Sequence, residues 1–332
     1  MKVLVTGAAG FIGGHLVERL LERGDEVRAL SLPSSDTALL EELPVQLFYG
    51  DITDPGSLVA SMQGVELVFH AAARVTDWGP WAAFRRETVQ GTRNVLSAAI
   101  AAGASGFLMT SSVSAYGNPL PRRVLEESRP YGRYKGGLAN YGRSKRLAEE
   151  AAIQRHAAGE IRVTIVRPSV VYGPRNTLVS KMVKYLKSPL PVWVGSPDHP
   201  IPLIDVQDVV EGCIAAAASP AGSGELFNLT NEERVTYRQA IDTLCQMLDL
   251  SPPRWGIPRG VVMAQAIAVE EIAGILWPRE EPPITRGGVE AMTMAATVSA
   301  AKARTLLGWE AKIGLEEGYQ RMTAWLKESQ LV

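Results

Sequence analysis

The N-terminal stretch Val3-Leu-Val-Thr-Gly-Ala-Ala-Gly-Phe-Ile-Gly13 decides the fold of this chain. Its first three residues form an apolar run that predicts a buried strand, and the residues after it have helical periodicity. A strand, a glycine turn and a helix in this order form a dinucleotide-binding fingerprint. Gly7 permits the tight turn, Gly10 lets the backbone approach a pyrophosphate, and Gly13 lets the helix pack close to the strand. The N–H groups at the helix N-terminus would then bind the phosphates.

The length and composition indicate a globular α/β protein. The 332 residues suit a large domain with a smaller partner, and a net charge of −1 gives no electrostatic case for a nucleic-acid partner. Cys213 and Cys245 lack metal-ligand spacing, so we expect two buried apolar side chains and no metal site. We expect a cytoplasmic protein, because there is no disulfide framework and the first strand begins at Lys2. No uncharged apolar run reaches about 18 residues, so no transmembrane helix is predicted.

Strands alternate with helices through the first half, which predicts a doubly wound parallel sheet of the Rossmann type. After the first strand, the predicted strands are Glu26–Leu30, Val45–Tyr49, Leu67–His70, Phe107–Thr110 and Val163–Val166, and the clearest helices are Thr88–Ala102 and Ser144–His156.

The pattern changes after Pro174, where prolines become frequent. We therefore assign residues 1–174 to the dinucleotide-binding domain. Residues 203–218 return to it as one more strand-plus-helix unit of the sheet, with Asp208 placed to cap the helix. Residues 175–202 and 219–332 are expected to form a smaller, interleaved substrate domain that contains the helices Tyr237–Leu248 and Leu315–Lys327.

Tyr141 and Lys145 have the spacing that places two side chains on one face of a helix, one turn apart. A free tyrosine has a pKa of about 10, and a nearby ammonium group would lower it. The pair could then move the proton of an alcohol or carbonyl. The alternative is an ordinary exposed Tyr and Lys. The segment Thr110-Ser-Ser-Val-Ser-Ala-Tyr-Gly117 follows a predicted strand and supplies Ser111, Ser112 and Ser114, which could bind a substrate oxygen or cap a turn.

The spacing Gly-x-x-Gly-x-x-Gly directly at the N-terminus resembles the short-chain dehydrogenase/reductase superfamily. The wording Thr-Gly-Ala-Ala-Gly-Phe-Ile-Gly resembles its extended branch, which includes sugar-nucleotide epimerases, dehydratases and 3β-hydroxysteroid dehydrogenases. The resemblance covers about the first 210 residues. It implies that Tyr141 and Lys145 are catalytic, and it selects Ser112 as the catalytic hydroxyl because that residue lies four positions before Tyr116. Tyr116 is expected to be structural.

Three further segments resemble cofactor-binding elements of this branch. Gly50-Asp-Ile52 is similar to an adenine contact, His70-Ala-Ala-Ala73 to the strand end beneath the ribose, and Arg167–Pro174 to the segment beside the nicotinamide. His70 itself is expected to be a packing or hydrogen-bonding residue. The resemblance implies that the cofactor is contacted by Gly7, Gly10, Phe11, Ile12, Gly13, Ser31, Asp51, Ile52, Ala71, Ala72, Ala73, Tyr141, Lys145, Pro168 and Val170.

The sequence departs from the branch pattern at two positions. Thr88 replaces an Asn that is associated with helix geometry and a proton-relay water. Ile201 stands where sugar-nucleotide enzymes often place an arginine that clamps the substrate diphosphate. An isoleucine cannot make that bidentate contact, which disfavours a nucleotide-sugar substrate, although Arg175, Lys181 or Lys184 could compensate.

The segments expected to face the substrate are apolar instead. Trp78, Trp81 and Phe84 follow the fourth strand, and Val261–Trp277 reads as a mostly apolar helix. Together with Pro282-Pro-Ile-Thr-Arg286 they resemble the bacterial 3β-hydroxysteroid dehydrogenase-like group, although each aromatic could equally be a core residue. We expect the Val261–Trp277 segment to border an apolar substrate pocket or to touch a membrane surface.

The sequence thus predicts an NAD(P)-dependent oxidoreductase that moves a hydride between the nicotinamide and a secondary alcohol or ketone. We expect a bulky apolar substrate, such as a sterol, a terpenoid or a long-chain β-hydroxy or β-keto compound, with decarboxylation left open. The alternative is a sugar-nucleotide epimerase or dehydratase, and a nucleotide-sensing binding protein is disfavoured because Tyr141 and Lys145 are both present.

Cofactor choice and assembly are also predicted. NAD-selective relatives usually end the second strand in an acid, but Ser31 stands there, and Leu32 stands where NADP-selective relatives often place an arginine. We therefore expect use of both NAD and NADP, with a slight preference for NADP. We expect a homodimer through the helices near Thr88–Ala102 and Ser144–His156, which is the pairing that the resemblance implies.

Overall fold

The computed structural model describes residues 1–117, 124–276, 281–329 and Leu331. Its centre is a seven-stranded parallel sheet in the order β3-β2-β1-β4-β5-β7-β11. The strands of the described residues are β1 Lys2–Thr6, β2 Glu26–Ser31, β3 Gln46–Tyr49, β4 Leu67–His70, β5 Gly106–Thr110, β6 Val124–Leu125, β7 Arg162–Pro168, β8 Val170–Tyr172, β9 Val192–Val194, β10 Leu203–Asp205, β11 Leu226–Leu229, β12 Trp255–Ile257 and β13 Thr297–Val298. The predicted Rossmann-type fold is confirmed.

The helices follow the predicted alternation. They are α1 Phe11–Glu22, α2 Ala38–Glu41, α3 Val59–Met62, α4 Trp81–Phe84, α5 Gly91–Ala101, α6 Ala139–Ala157, α7 Thr177–Leu186, α8 Val206–Ala218, α9 Tyr237–Met247, α10 Arg259–Leu276, α11 Arg286–Met292, α12 Ala301–Leu307 and α13 Leu315–Glu328. A π-helical turn, Arg85–Gln90, precedes α5, and short 3-10 turns cover Pro55–Leu58, Val113–Tyr116 and Pro220–Gly222. Within the described part of the chain, no helix has both the length and the apolar character to span a bilayer.

Both faces of the sheet are covered, as a parallel sheet requires. Val3 and Val5 of β1 point to the face covered by α1 and α8, whereas Leu4 between them points to the face covered by α5 and α6. This alternation follows from the period of two along a strand. Cys213 of α8 and Cys245 of α9 are buried and unpaired, as predicted.

A third apolar cluster lies in the C-terminal half. Helices α7, α9 and α13 contribute Val183, Ile241 and Leu326 to it, and Ile201 is buried in the same cluster. The cluster supports the predicted smaller domain, whose boundaries remain a proposal.

The strand predicted within residues 203–218 is wrong as a member of the central sheet. Strand β10 pairs with β8 in a separate two-stranded sheet, and the seventh central strand is β11. Strand β11 occupies the edge of β7, with Leu226 opposite Ile165, so β10 cannot pair there. By periodicity alone, the short apolar runs of β10 and β11 look the same. The sequence therefore could not show which of them joins the central sheet.

The predicted cap of α8 is also wrong by one turn. The helix begins at Val206, so Asp205 is the N-cap and its side chain accepts a hydrogen bond from the Gln207 amide. Asp208 instead accepts from the Lys312 and Ile313 amides, both at 3.0 Å, and fastens the segment before α13. An aspartate in the first turn can serve either role, and the tertiary partner decides between them.

Candidate active site

The site lies at the carboxyl ends of the parallel strands, beside the point where the strand order reverses between β1 and β4. In open α/β sheets this crevice binds the ligand. Strands β1, β4 and β5 end there at Thr6, His70 and Thr110. The predicted glycine turn, the alanine run and the serine segment follow these strands directly.

The glycine turn forms a cradle that side chains would fill. Gly7 has φ +69°, and a Cβ on it would lie 2.8 Å from the Ala72 nitrogen. A Cβ on Gly13 would lie 2.0 Å from the Gly7 carbonyl oxygen. Helix α1 then starts with Gly10 as its N-cap and without a side-chain cap, which leaves backbone N–H groups directed at the crevice. The residues therefore fit the pyrophosphate of a dinucleotide.

His70 joins two elements beneath this cradle. Its Nδ1 lies 2.8 Å from the Thr6 hydroxyl oxygen and its Nε2 lies 2.9 Å from the Thr92 hydroxyl oxygen. Burial lowers the pKa of His70 to about 3, with the Lys145 charge acting in the same direction. The ring is thus neutral, and the predicted hydrogen-bonding role is confirmed.

The residues expected near the adenosine half also have partners within the protein. The Ser31 hydroxyl accepts from the Ala9 amide at 3.1 Å, and the Asp51 carboxylate accepts from the Thr53 amide at 2.8 Å. The Ile52 carbonyl accepts from the Asn94 side-chain amide at 2.8 Å. These bonds fix the loops that follow β2 and β3 at the same edge of the sheet.

Tyr141 lies in the first turn of α6, because that helix begins at Ala139, earlier than predicted. The Ser112 side chain favours the charged form of the Tyr141 phenol and so acts to lower its pKa. Gly142 lets α6 lie close to the serine segment, since a Cβ on it would lie 2.4 Å from the Ser114 carbonyl oxygen. The Ser112 hydroxyl also accepts from the Ser114 amide at 3.1 Å, so it caps the 3-10 turn as well. Ser112, rather than Ser111 or Ser114, is the serine whose side chain affects the Tyr141 pKa.

The expected lowering of the Tyr141 pKa by Lys145 is wrong for this arrangement. Burial raises the pKa of the phenol, and the Ser112 side chain opposes the rise only in part. The Lys145 ammonium lies 6.0 Å from the Tyr141 ring centroid and donates instead to the Thr110 carbonyl at 3.0 Å. Removal from water disfavours the charged form of a phenol, and this effect exceeds the others here.

Lys145 is itself buried and perturbed. Burial lowers its pKa to about 8, while the Glu149 carboxylate one turn along α6 favours the charged form. A buried lysine with a pKa this close to neutrality is typical of a functional site. The pair predicted by the Tyr-x-x-x-Lys spacing therefore lies beside Ser112 and Thr110.

A buried ion pair joins α6 to β7 and was not predicted from the sequence. Arg167 of β7 donates from Nε and Nη2 to the two Glu149 oxygens at 2.8 and 2.6 Å. Its guanidinium carbon lies 4.3 Å from the Tyr116 ring centroid, and the Tyr116 hydroxyl donates to the Asn228 side-chain oxygen at 2.9 Å. The structural role predicted for Tyr116 is confirmed. Arg167 lies in the segment Arg167–Pro174 that the sequence singled out. Its pairing with Glu149, however, depends on the packing of α6 on β7.

Pro168 and Val170 lie at the next strand end along the sheet, where β7 ends and β8 begins. The Ser169 amide between them donates to the Leu229 carbonyl at 2.9 Å. This places both residues at the same edge as Ser112, which is the position expected for a nicotinamide contact.

Two of the three loop aromatics, Phe84 and Trp81, differ in environment. Phe84 is fully buried, with the Arg74 guanidinium 5.2 Å from its ring centroid, so core packing is its role. Trp81 is half-buried, and the Arg143 guanidinium lies 4.3 Å from its ring centroid, two residues after Tyr141.

Thr88 lies in the π-helical turn, and its hydroxyl accepts from the Arg74 amide at 3.1 Å. Its hydroxyl is thus used to fix the start of this loop.

Comparisons with known proteins agree with this geometry. The NAD dependent epimerase/dehydratase family matches residues 3–230. The 2-alkyl-3-oxoalkanoate reductase of Stenotrophomonas maltophilia is 28% identical over 98% of this chain and 99% of that protein. The sterol demethylase protein B of Methylococcus capsulatus is also 28% identical, over 100% of both chains. A solved structure of UDP-glucuronic acid 4-epimerase from Bacillus cereus in complex with NAD has a TM-score of 0.76 and 22% identity, covering 99% of each chain, which is a likeness of fold. The chain belongs to the NAD dependent epimerase/dehydratase family and is an enzyme of the extended short-chain dehydrogenase/reductase type.

Proposed function

We propose that the protein transfers a hydride between a nicotinamide cofactor and a secondary alcohol or ketone. The observation that carries this proposal is the convergence of Tyr141, Ser112 and Lys145 beside the glycine cradle. The bound nicotinamide would supply the hydride acceptor or donor, and the chain would supply the proton chemistry. Gly7, Gly10 and Gly13 with the start of α1 would hold the pyrophosphate.

Tyr141, Ser112 and Lys145 have different roles in the proton transfer. The Tyr141 hydroxyl gives a proton to the carbonyl oxygen during reduction and takes it back during alcohol oxidation. Ser112 donates a hydrogen bond to the same oxygen as charge develops on it. Lys145 holds the nicotinamide ribose through its buried ammonium group.

A bulky apolar substrate is the class that the surroundings support. Ile201 is buried in the apolar cluster of the smaller domain, so the position offers no clamp for a diphosphate. Arg175 binds Glu18 through two hydrogen bonds, which reduces its availability for that role. Reductase and sterol-related names among the relatives point in the same direction. The alternative, a sugar-nucleotide epimerase or dehydratase, would use the same fold and the same Tyr141, so the fold does not decide between the two.

We propose that both NAD and NADP serve as cofactor, with a slight preference for NADP. The Ser31 hydroxyl is engaged by Ala9, Leu32 is exposed, and Asp36 accepts from the Ala38 amide at 3.1 Å. Of Ser31, Leu32 and Asp36, Asp36 alone is charged, and its carboxylate is held by the Ala38 amide. Values of kcat/KM for the two cofactors should therefore differ by less than about a hundredfold, or about 2.7 kcal/mol. A larger preference for NAD would contradict the proposal.

The predicted homodimer remains a proposal. Ala148 and Ala152 of α6 face the sheet, but Ile153 is 42% exposed on the outer side of the same helix. We place the dimer contact on the outer faces of α5 and α6. Light scattering at micromolar concentration should give the mass of a dimer, and Ile153→Glu should give the mass of a monomer.

The Val261–Trp277 prediction also stands as a proposal, with Trp277 outside the described residues. Helix α10 buries Val262, Ala266, Glu270 and Ala273, and its opposite side exposes Val261, Ile267, Ile272, Ile275 and Leu276. An apolar face of this length favours contact with a membrane surface. For the buried side of α10, we propose a place beside the substrate site. Co-sedimentation with lipid vesicles tests the first, and substrate KM of Val262→Ala tests the second.

The decisive test is Tyr141→Phe in a cofactor-reduction assay against sterols, long-chain hydroxy acids and nucleotide sugars. Loss of the phenol proton should lower kcat by about 10²–10⁴-fold while cofactor affinity is kept. Tyr185→Phe is the matched control, because its hydroxyl bonds to Val192 in the smaller domain. Near-full turnover by Tyr141→Phe would remove the assignment. Turnover of a nucleotide sugar without net cofactor consumption would favour the epimerase alternative.

A further inference from the structure

Glycines far apart in sequence meet at the start of the catalytic helix. Gly136 and Gly137 lie just before Leu138, the N-cap of α6, and Gly287 lies in α11. A Cβ on Gly137 would lie 2.0 Å from the Gly287 nitrogen, so the two backbones are in contact. Gly136 has φ +83°, and a Cβ on it would lie 1.8 Å from a Glu290 carboxylate oxygen. The absence of side chains at 136 and 137 thus makes room for one carboxylate and one backbone segment.

The Glu290 carboxylate occupies this space as a cap of α6. One Glu290 oxygen accepts from the Gly137 amide and the other from the Leu138 amide, each at 3.1 Å. Leu138 is the N-cap residue of α6 and provides no side-chain cap of its own. The first amides of a helix have no intrahelical partner, and a carboxylate there satisfies them and complements the helix dipole. Glu290 thus supplies from α11 what the local sequence lacks.

The segment that carries Glu290 is fastened at its other end as well. The Thr285 hydroxyl donates to the Asp77 carboxylate at 2.5 Å, in the loop after β4. The Arg286 amide donates to the buried Glu270 carboxylate at 2.6 Å, and the Arg286 side chain pairs with the same carboxylate. Asn140, the residue before Tyr141, donates to the Gly79 carbonyl at 3.3 Å. Residues 285–290, the loop 77–79 and the start of α6 therefore form one joined unit.

We propose that Glu290 is a positioning residue for Tyr141. Tyr141 is the third residue of α6, three positions after the N-cap Leu138, whose amide Glu290 binds. A helix whose first turn is uncapped frays there, which would move the Tyr141 hydroxyl relative to Ser112. The cradle for the cofactor lies on β1 and α1 and makes no use of this cap. The inference rests on the proposed function, in which Tyr141 moves the proton.

The test compares Glu290→Ala, Glu290→Gln and the control Glu281→Gln. Glu281 lies four residues before that segment and pairs with Lys181 at the surface. Glu290→Ala should lower kcat by about tenfold, in line with the loss of a helix cap, and leave the cofactor Kd within about twofold. Glu290→Gln retains an acceptor oxygen and should lose about threefold. Glu281→Gln should match the wild type.

Amide hydrogen exchange provides a readout that does not depend on turnover. Peptides that cover residues 136–141 should lose protection in Glu290→Ala, partly lose it in Glu290→Gln, and keep it in Glu281→Gln. Lost protection with unchanged kcat would overturn the positioning role, and unchanged protection would overturn the cap itself. If Glu290→Ala does not fold, the same two measurements on Glu290→Gln decide. If the wild type transfers no hydride to any compound, the proposed function fails, and the exchange data alone still decide whether Glu290 caps α6.

Discussion

Two of the glycine contacts that bring backbone against backbone differ in origin. At the first, Gly13 of α1 faces the Gly7 carbonyl, six residues away, and a Cβ would come within 2.0 Å of it. At the second, Gly137 faces the Gly287 nitrogen, and a Cβ would again come within 2.0 Å. The first contact shapes the cofactor cradle, and the second holds a C-terminal segment against the catalytic helix.

The difference shows what a local motif can and cannot contain. The spacing of Gly7, Gly10 and Gly13 is sufficient to predict the first contact, because strand, turn and helix follow one another in the chain. Gly136, Gly137 and Gly287 have no such context, since two glycines in a loop are compatible with any turn. We expect the two contacts to affect different steps: cofactor binding for the first and turnover for the second.

The largest expected effect comes from Gly13→Ala. The added methyl would force α1 away from the β1 turn, and overpacking of this kind costs about 1–3 kcal/mol. Cofactor Kd should therefore rise by about 10–100-fold, as measured by fluorescence titration with NADH and NADPH. Gly274→Ala is the matched control, because nothing lies within 4 Å of a Cβ at that position in α10. Cofactor affinity unchanged in Gly13→Ala would show that the cradle is not where the cofactor binds.

The next effect is a pH dependence of the free energy of unfolding. It should come from His70, which lies beneath the cofactor cradle. Burial lowers its pKa from 6.5 to about 3, so the unfolded chain takes up a proton that the folded chain refuses. The free energy of unfolding is therefore highest above pH 6.5 and falls as the pH drops from 6.5 towards 3. Between pH 6.5 and 4.5 the loss should be about 2–3 kcal/mol. Denaturant titrations of the wild type and His70→Gln measure it, and equal slopes with pH would contradict the assignment.

The smallest expected effect comes from Gly137→Ala. The methyl would separate Gly137 from Gly287 and weaken the Glu290 cap, but the C-terminal segment can shift without disturbing the sheet. Turnover should fall by about 3–10-fold, within the range of a lost helix cap. Cofactor Kd should stay within about twofold of the wild type, the reverse of Gly13→Ala. Weakened cofactor binding in Gly137→Ala would mean that the two contacts are not independent.

Sequence patterns predicted the parts of the site that follow strand ends. The β1 turn and the predicted role of His70 depend on short segments whose position in a parallel sheet is fixed by order. The choice of Ser112 among the three serines came from the family resemblance. The supporting pair Glu149 and Arg167 was missed because its members meet only when α6 packs on β7. The Tyr141 pKa was misjudged for the same reason, because burial depends on the whole fold.

The sequence by itself determined the alternation of strands and helices, the glycine turn at Gly7–Gly13 and the one-turn spacing of Tyr141 and Lys145. These features are local, since propensity and periodicity act over a few residues. The tertiary structure alone decided that β11 rather than β10 completes the central sheet, that Asp208 fastens the segment before α13, and that Glu290 caps α6. Each of these joins residues that are distant in the chain, and competition between alternative partners, rather than local preference, selects the contact.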